Sequence, residues 1–286
     1  MKRDWLGVFA VLAILAVGFV AYDLLFGSDG ADRFRIVSVA GDVTHVRAGG
    51  ADEPALPGER LSTGDRIVSK GEGSAVLGLG DDARITVGPK SSVEVLGVSA
   101  EGVQLELEGG NVQATVRPGS GRVGVVADGR ELVATDADFT AVRDEDGTLA
   151  VSTVRGEVAV TGLEGVSSLP AGEELIAPRE GSPLRAPASE ALLLALRDAA
   201  PPRTREPEVE VSGSTSPGAT VTVRGGKRPV STRAGKDGSF RVTVSLAEGD
   251  NPLQIRAESL LGKSAEASMV VNRDTTAPSV GVSLEF

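Results

Sequence analysis

The stretch Val103-Gln104-Leu105-Glu106-Leu107-Glu108, followed by Gly109-Gly110-Asn111 and then Val112-Gln113-Ala114-Thr115-Val116, decides the fold class. Apolar and polar residues alternate without a break through its first six positions, so Val103, Leu105 and Leu107 share one face of an extended strand. Val112, Ala114 and Val116 repeat the pattern, and the intervening Gly-Gly-Asn predicts a turn that pairs the two strands as a hairpin. Outward from this pair, residues 35–178 read as a succession of short strands. Further candidates are 75–79, 84–87, 92–96, 149–153 and 157–160, with turns at Gly80-Asp81-Asp82, Asp128-Gly129 and Asp146-Gly147. No helical apolar period occurs there, and the spacing predicts an all-β roll, solenoid-like sheet or barrel. The composition agrees, because 37 Gly and 15 Pro in 286 residues, with few aromatics, suit short strands joined by tight turns.

Beyond this region, residues 179–207 read as a linker. Within it, Ser189-Glu190 followed by Ala191-Leu192-Leu193-Leu194-Ala195-Leu196-Arg197-Asp198 predicts a short helix over 189–199, capped by Ser189 and stopped by Pro201-Pro202. Its leucine face is expected to pack against the preceding domain. Residues 208–273 read as a second β domain. Val209/Val211, Val221/Val223, Phe240/Val242/Val244/Leu246 and Leu253/Ile255/Ala257 form four alternating sets. A β domain this small and without a disulfide is marginal alone, so it is expected to lean on the first domain or on a partner. Residues 274–286 read as a tail.

The first β region resembles the FecR domain. The resemblance rests on an ordered series: Gly41-Asp42-Val43, Leu61-Ser62-Thr63-Gly64-Asp65-Arg66-Ile67, Ala75–Leu79, Ala83–Pro89, the Val103–Val116 stretch, Thr135 with Asp138-Phe139-Thr140-Ala141-Val142, Gly156-Glu157-Val158, and Ala171-Gly172-Glu173. Asp136 stands where the family usually has Pro, and Ala137-Asp138 where it has Gly-Thr. The second β region resembles bacterial Ig-like domains of the glucodextranase-linked kind. Its carriers are Val211-Ser212-Gly213, Pro217-Gly218-Ala219-Thr220-Val221, Asp237-Gly238-Ser239-Phe240 and Gly249-Asp250-Asn251. The two resemblances imply a FecR-like roll and an Ig-like β-sandwich. In the FecR family a periplasmic domain senses an outer-membrane partner while a cytoplasmic segment controls an alternative sigma factor.

Residues 5–26 form an apolar run interrupted only by Asp23. As a helix it would span about 33 Å, enough for a hydrocarbon core of roughly 30 Å. Lys2 and Arg3 precede it, and Asp29 and Asp32 follow, which predicts residues 1–4 as a cytoplasmic stub and 27–34 as a linker leading outside. Trp5 and Tyr22 stand near the two ends, where amphipathic rings favour the interface. The rival reading is a cleaved signal peptide with Ala16 and Gly18 as its small pair. The expected location is therefore the bacterial inner membrane, single-pass, with the β domains periplasmic or otherwise extracytoplasmic. A stub of four residues leaves no room for a sigma-factor-binding segment.

Site chemistry is sparse. With no Cys, no thiolate nucleophile, zinc-thiolate set or lipidated cysteine exists. His45, the one His, alternates with Val43 and Arg47 and is expected to face solvent. No Gly-x-Ser-x-Gly elbow occurs in a strand–helix context. Asp144-Glu145-Asp146-Gly147 lacks the spacing of a calcium loop and reads as a hairpin turn. A net charge of −11 argues against nucleic acid. Trp5 and Tyr22 lie in the apolar run, leaving Phe34, Phe139, Phe240 and Phe286 elsewhere, so stacking on glycans is not expected. No catalytic residue, cofactor or metal ligand is nominated. The expected partners are other envelope or membrane proteins and, through residues 5–26, the lipid bilayer. Two roles stand nearly level, envelope signalling or regulation and a structural scaffold or adaptor, with a carbohydrate-active enzyme or glycan binder behind them.

Overall fold

The computed structural model describes residues 33–50, 52–188, 192–197 and 201–276. The chain divides into two compact units between Ala188 and Ser189. Their regular elements are β-strands, as the alternation predicts. No helix among the described residues is long and apolar enough to cross a membrane. The span expected at 5–26 lies outside the described residues, as do the stub and most of the linker and tail.

In the first unit the strands are β1 (Phe34–Ala40), β2 (Val43–Val46), β3 (Asp52–Pro54), β4 (Arg66–Ser69), β5 (Ser74–Leu79), β6 (Ala83–Val87), β7 (Ser92–Ser99), β8 (Gly102–Val116), β9 (Arg122–Ala127), β10 (Arg130–Ala134), β11 (Ala137–Arg143), β12 (Leu149–Thr161), β13 (Ser168–Pro170), β14 (Glu173–Ala177) and β15 (Leu184–Pro187). They make one hydrogen-bonded network of fifteen strands. One layer runs β1-β5-β6-β8-β11-β12-β14-β15 and is antiparallel throughout. The other runs β3-β2-β4-β7-β8-β9-β10-β12-β13, antiparallel except for the parallel pair β8–β9. The strands β8 and β12 belong to both layers. Inward side chains of the two layers, among them Phe34, Leu77, Ile85, Leu105, Leu107, Leu132, Phe139 and Val151, form one core.

The turn expected at Gly109-Gly110-Asn111 is not there. β8 is a single strand of 15 residues. Its first half pairs with β7 and β9, and its second half with β6 and β11, so the two halves never pair with each other. The Gly-Gly-Asn segment does something a turn would also do: it changes which positions face inward. Val103, Leu105 and Leu107 are buried before it, and Val112, Ala114 and Val116 after it. An irregularity in pairing with β7 falls here, between Ser92 opposite Gly109 and Val93 opposite Leu107. Gly110 has φ 86°, and a Cβ there would run into Ser91. The strand therefore bends around one core while keeping both halves' apolar faces toward it.

The same device recurs in β12. Leu149 and Val151 face inward in its first half, Val158 and Val160 in its second. Asp138 pairs with Arg155 and Phe139 with Thr153, leaving Val154 as the extra residue of a bulge, 72% exposed. Gly156 follows at φ 73°, where a Cβ would strike the Asp136 carbonyl. Arg155 ties the corner together. Its Nε donates to Asp138 Oδ2 at 3.0 Å and its Nη2 to the Val116 carbonyl at 2.9 Å, while Nη1 reaches Asp136. The linker expected over 179–207 also departs from the sequence reading at its start, because β15 lies along β14 with all four residues exposed.

The second unit contains β16 (Ala195–Leu196), β17 (Arg203–Thr204), β18 (Glu208–Ser214), β19 (Thr220–Arg224), β20 (Val230–Arg233), β21 (Ser239–Ser245), β22 (Gly249–Glu258) and β23 (Ser264–Arg273). A three-stranded sheet, β16-β18-β21, and a five-stranded sheet, β17-β23-β22-β19-β20, contribute to one core. All four alternating sets are buried in it. Each such side chain contributes roughly 1.5–3 kcal/mol on burial, which makes this the chief driving force of the unit. Buried Asn251 closes the corner before β22: its Oδ1 accepts from the Ala247 amide at 2.8 Å, and its Nδ2 donates to the Ala247, Gly249 and Val271 carbonyls.

The helix predicted over 189–199 is corrected over its described part. Residues 192–197 form no helix, and Ala195-Leu196 is a short strand that pairs with Gly213-Ser214 of β18. Leu192 is buried, Leu193 is exposed, and Leu194 and Leu196 pack on this unit's own core, a period of two rather than 3.6. A leucine run this short gains little from isolated helix formation, whereas β18 offers it an edge to pair with. The remaining positions of that helix lie outside the described residues.

The shared-strand geometry makes the adjacent glycines of β8 unequal. Gly109 has open space where a Cβ would go, whereas Gly110 combines positive φ with a collision. Gly110→Ala is expected to lower unfolding free energy by at least about 2 kcal/mol, and Gly109→Ala to change it by less than about 1 kcal/mol, as read by urea denaturation.

Candidate functional site

His45 is not at the surface. β2 buries Val43 and His45 on the same face, and Arg47 lies beyond the strand's end. The shared parity with Val43 was the correct signal, and it points inward. The ring is 1% exposed, with Nδ1 3.0 Å from Glu59 Oε2 and Nε2 3.2 Å from Asp65 Oδ2. Asp65 also accepts from the Ser62 amide at 2.9 Å and from the Ala48 amide at 3.1 Å. The Ser-Thr-Gly-Asp sequence thus builds a tight turn whose terminal carboxylate reaches both β2's exit and the imidazole. Burial raises the Glu59 pKa, but the Leu56 amide, His45 and Arg47 outweigh it and hold the carboxyl below its ordinary 4.5. This arrangement pins the 55–65 connection to β2 around a ring that is almost wholly shielded from solvent.

The acidic turn Asp144–Gly147 closes as expected of a hairpin. The Gly147 amide donates to the Asp144 carbonyl, and Asp144 Oδ1 accepts from the Thr148 amide at 2.7 Å. No cluster of three or more metal-ligating side chains occurs among the described residues.

Sequence reasoning passed over what lies against that turn. Arg130 follows the Asp128-Gly129 turn and alternates with Leu132 and Ala134, so it points inward and is only 6% exposed. Its guanidinium is held by main-chain carbonyls. Nη1 donates to Ala177 at 2.8 Å and to Gly147 at 3.3 Å, and Nη2 donates to Pro178 at 2.6 Å. Burial lowers its pKa, and the neighbouring Arg143 and Arg179 lower it further against the opposing pull of Asp128. Arg143 grips Asp128 with two parallel bonds, Nε to Oδ2 at 2.8 Å and Nη2 to Oδ1 at 2.9 Å. Those bonds depress the Asp128 carboxyl below 3.8 against the effect of burial.

Arg130 opens onto a cleft of about 750 Å³ in the first unit. Asp128, Arg179 and Arg185 line it with the 162–166 loop, including Glu164, and the 178–183 loop. Arg185 pairs with Glu173. Leu163, Val166, Pro178 and Pro183 supply its apolar wall. The sequence signal for this site was a charged residue on an otherwise apolar strand face. Arg143 and Arg179 carried no comparable mark.

Residues 65–159 match the family model for FecR protein, a stretch wholly inside the first unit that includes both layer-crossing corners and Asp128 and Arg130. This part of the chain is similar to the FecR protein family. Two crystal structures of a candidate anti-sigma factor from Parabacteroides distasonis ATCC 8503 are similar. One is 20% identical over 43% of this chain and 59% of its own, with a TM-score of 0.38. The other is 18% identical over 50% of this chain and 68% of its own, with a TM-score of 0.39. The tetra-tandem repeat in the extending region of a large adhesion protein aligns with 87% of this chain and 94% of its own, at 14% identity and a TM-score of 0.26. No curated protein matches the chain.

Two outcomes test this account. His45→Ala strips Glu59 and Asp65 of their shared partner and opens a cavity, so it is expected to cost about 2–4 kcal/mol of stability in chemical denaturation. Asp128 and Asp138 are both held below 3.8, Asp138 because Arg155 and Arg117 outweigh its burial. Carboxyls with depressed folded pKa values stabilise fully above their unfolded pKa and lose that contribution as pH falls through the folded value. Stability should therefore decline as the pH drops below 3.8. Asp128→Asn should lower stability at neutral pH and flatten this acid limb, measured as denaturation midpoints against pH.

Proposed function

We propose that the chain is a non-catalytic, membrane-anchored, extracytoplasmic protein-binding module of the FecR-like class that acts in envelope signalling or regulation. The match of residues 65–159 to FecR protein carries this reading, since it falls within a single folded unit. The apolar run at 5–26, with Lys2 and Arg3 before it and Asp29 and Asp32 after it, supports an anchor with the N-terminus inside. We read the second unit as an Ig-like β-sandwich. Its two sheets around one core and its Asp237-Gly238-Ser239 and Gly249-Asp250-Asn251 corners support that assignment. The partners on this reading are other envelope or membrane proteins, reached from a bilayer-held chain.

An envelope scaffold or adaptor is the second reading, favoured by one observation. β15 ends the first unit's antiparallel layer with every residue exposed, and among the described residues no strand pairs with its outer edge, which could therefore accept a partner strand.

Crosslinking of the full chain in its native membrane separates the two. Signalling predicts capture of a membrane-spanning regulator, and a captured set of wall or outer-membrane proteins alone would favour the scaffold. Protease added outside spheroplasts should cleave both β units; protection of both would contradict the proposed topology.

A further inference from the structure

We infer that the arginine cleft of the first unit is a binding site for an oxyanion, a carboxylate or phosphate carried beside a small apolar group. This goes beyond the signalling reading and does not depend on it. The Arg130 guanidinium has five N–H donors. Three are committed to the Ala177, Gly147 and Pro178 carbonyls. Two remain on a side chain that is 94% buried yet lines the cleft. Main-chain carbonyls orient a guanidinium but do not neutralise it, so a cation held this deeply without a carboxylate on its own donors is preorganised for an anion.

The surrounding charges sharpen the point. Asp128 also lines the cleft, but Arg143 occupies both of its oxygens. Arg185 is engaged by Glu173. Arg179 stands beside Arg130 over the Gly147 turn, and the carboxylate left in the lining is that of Glu164, an exposed residue of the 162–166 loop. Gly147 allows the close approach: with φ 77°, a Cβ there would press on Asp128 Oδ2 at 3.1 Å and on Arg179 Cδ at 3.2 Å. The chain's charge of −11 does not overrule this local field, because exposed charges are screened over roughly 8 Å at physiological salt. The apolar wall of Leu163, Val166, Pro178 and Pro183 gives the anion's carrier a surface to rest on.

Calorimetric titration of the full-length protein with N-acetyl-leucine, its C-terminal amide and inorganic phosphate tests the site and separates the two sources of oxyanion. Saturable binding of N-acetyl-leucine but not the amide assigns a carboxylate, and saturable binding of phosphate assigns a phosphate. In either case Arg179→Ala should weaken binding about tenfold, the loss of one charge-assisted contact, and Glu164→Gln should strengthen it. Arg224→Ala, on β19 of the second unit, should leave it unchanged. Arg179 is exposed, so its variant reports binding even if Arg130→Gln does not fold. The inference is overturned if neither anion saturates, if Arg179→Ala binds as tightly as the parent, or if Arg224→Ala weakens binding equally. None of these results bears on whether the chain captures envelope proteins, so this inference and the signalling reading can fail separately.

Discussion

Two strands that each serve two sheets hold the first unit together. β8 and β12 cross from one layer to the other, and almost every remaining strand is connected to one of them directly or through one or two neighbours. A continuous strand that turns such a corner faces a parity problem, because successive side chains point to opposite faces. If the period of two ran unbroken through the bend, one half would present its polar residues to the core. Both strands solve this with an irregularity in pairing and a glycine at positive φ, Gly110 in β8 and Gly156 in β12. The inward positions change from odd to even at each corner, and one core is built from both layers.

Long crossing strands leave connections that must be tied down, and buried polar side chains do much of that work. His45 replaces an apolar residue on the inward face of β2 and meets Glu59 and Asp65 from the following connection. Arg130 replaces one on β10 and gathers carbonyls from the 147 turn and from the end of β14. Arg155 joins β12 to β8 and β11 at the outer corner. In each case a side chain with several donors or charged contacts links segments distant in sequence, which packing by small aliphatic residues alone would leave loosely registered. His45 lies between two carboxylates away from solvent, whereas Arg130 lines a cleft. That difference separates a brace from a candidate site.

Much of the architecture was legible in the residue pattern, and the errors share a cause. Alternation identified the strands around Val103–Glu108 and all four apolar sets of the second unit, because period-two burial is a local property. It could not say which strand each pairs with. Gly109-Gly110-Asn111 therefore read as a hairpin turn, since a turn and a layer-crossing corner both place glycines at a change of parity. Leu192–Leu196 read as a helix because the run holds leucine pairs three and four apart as well as two apart, and only the edge that β18 offers decides between them. His45 was expected to face solvent and Arg130 was passed over, yet each sits in phase with apolar neighbours. The carboxylates and carbonyls that make their burial tolerable lie 14 to 48 positions away. Pairings over such distances are set by topology rather than by local sequence.

The FecR-type match at 65–159 covers both crossing corners, so the regulatory reading rests on the same framework as the fold. Amide hydrogen exchange across β8 tests that framework most directly. If β8 is one strand shared by two layers, the amides of Leu105 and Ala114 should exchange only through global unfolding, with equal protection free energies that match the denaturation value. If the two halves instead exchanged by separate openings, with unprotected amides through Gly109 and Gly110, the segment would be a hairpin and the two-layer account would be wrong.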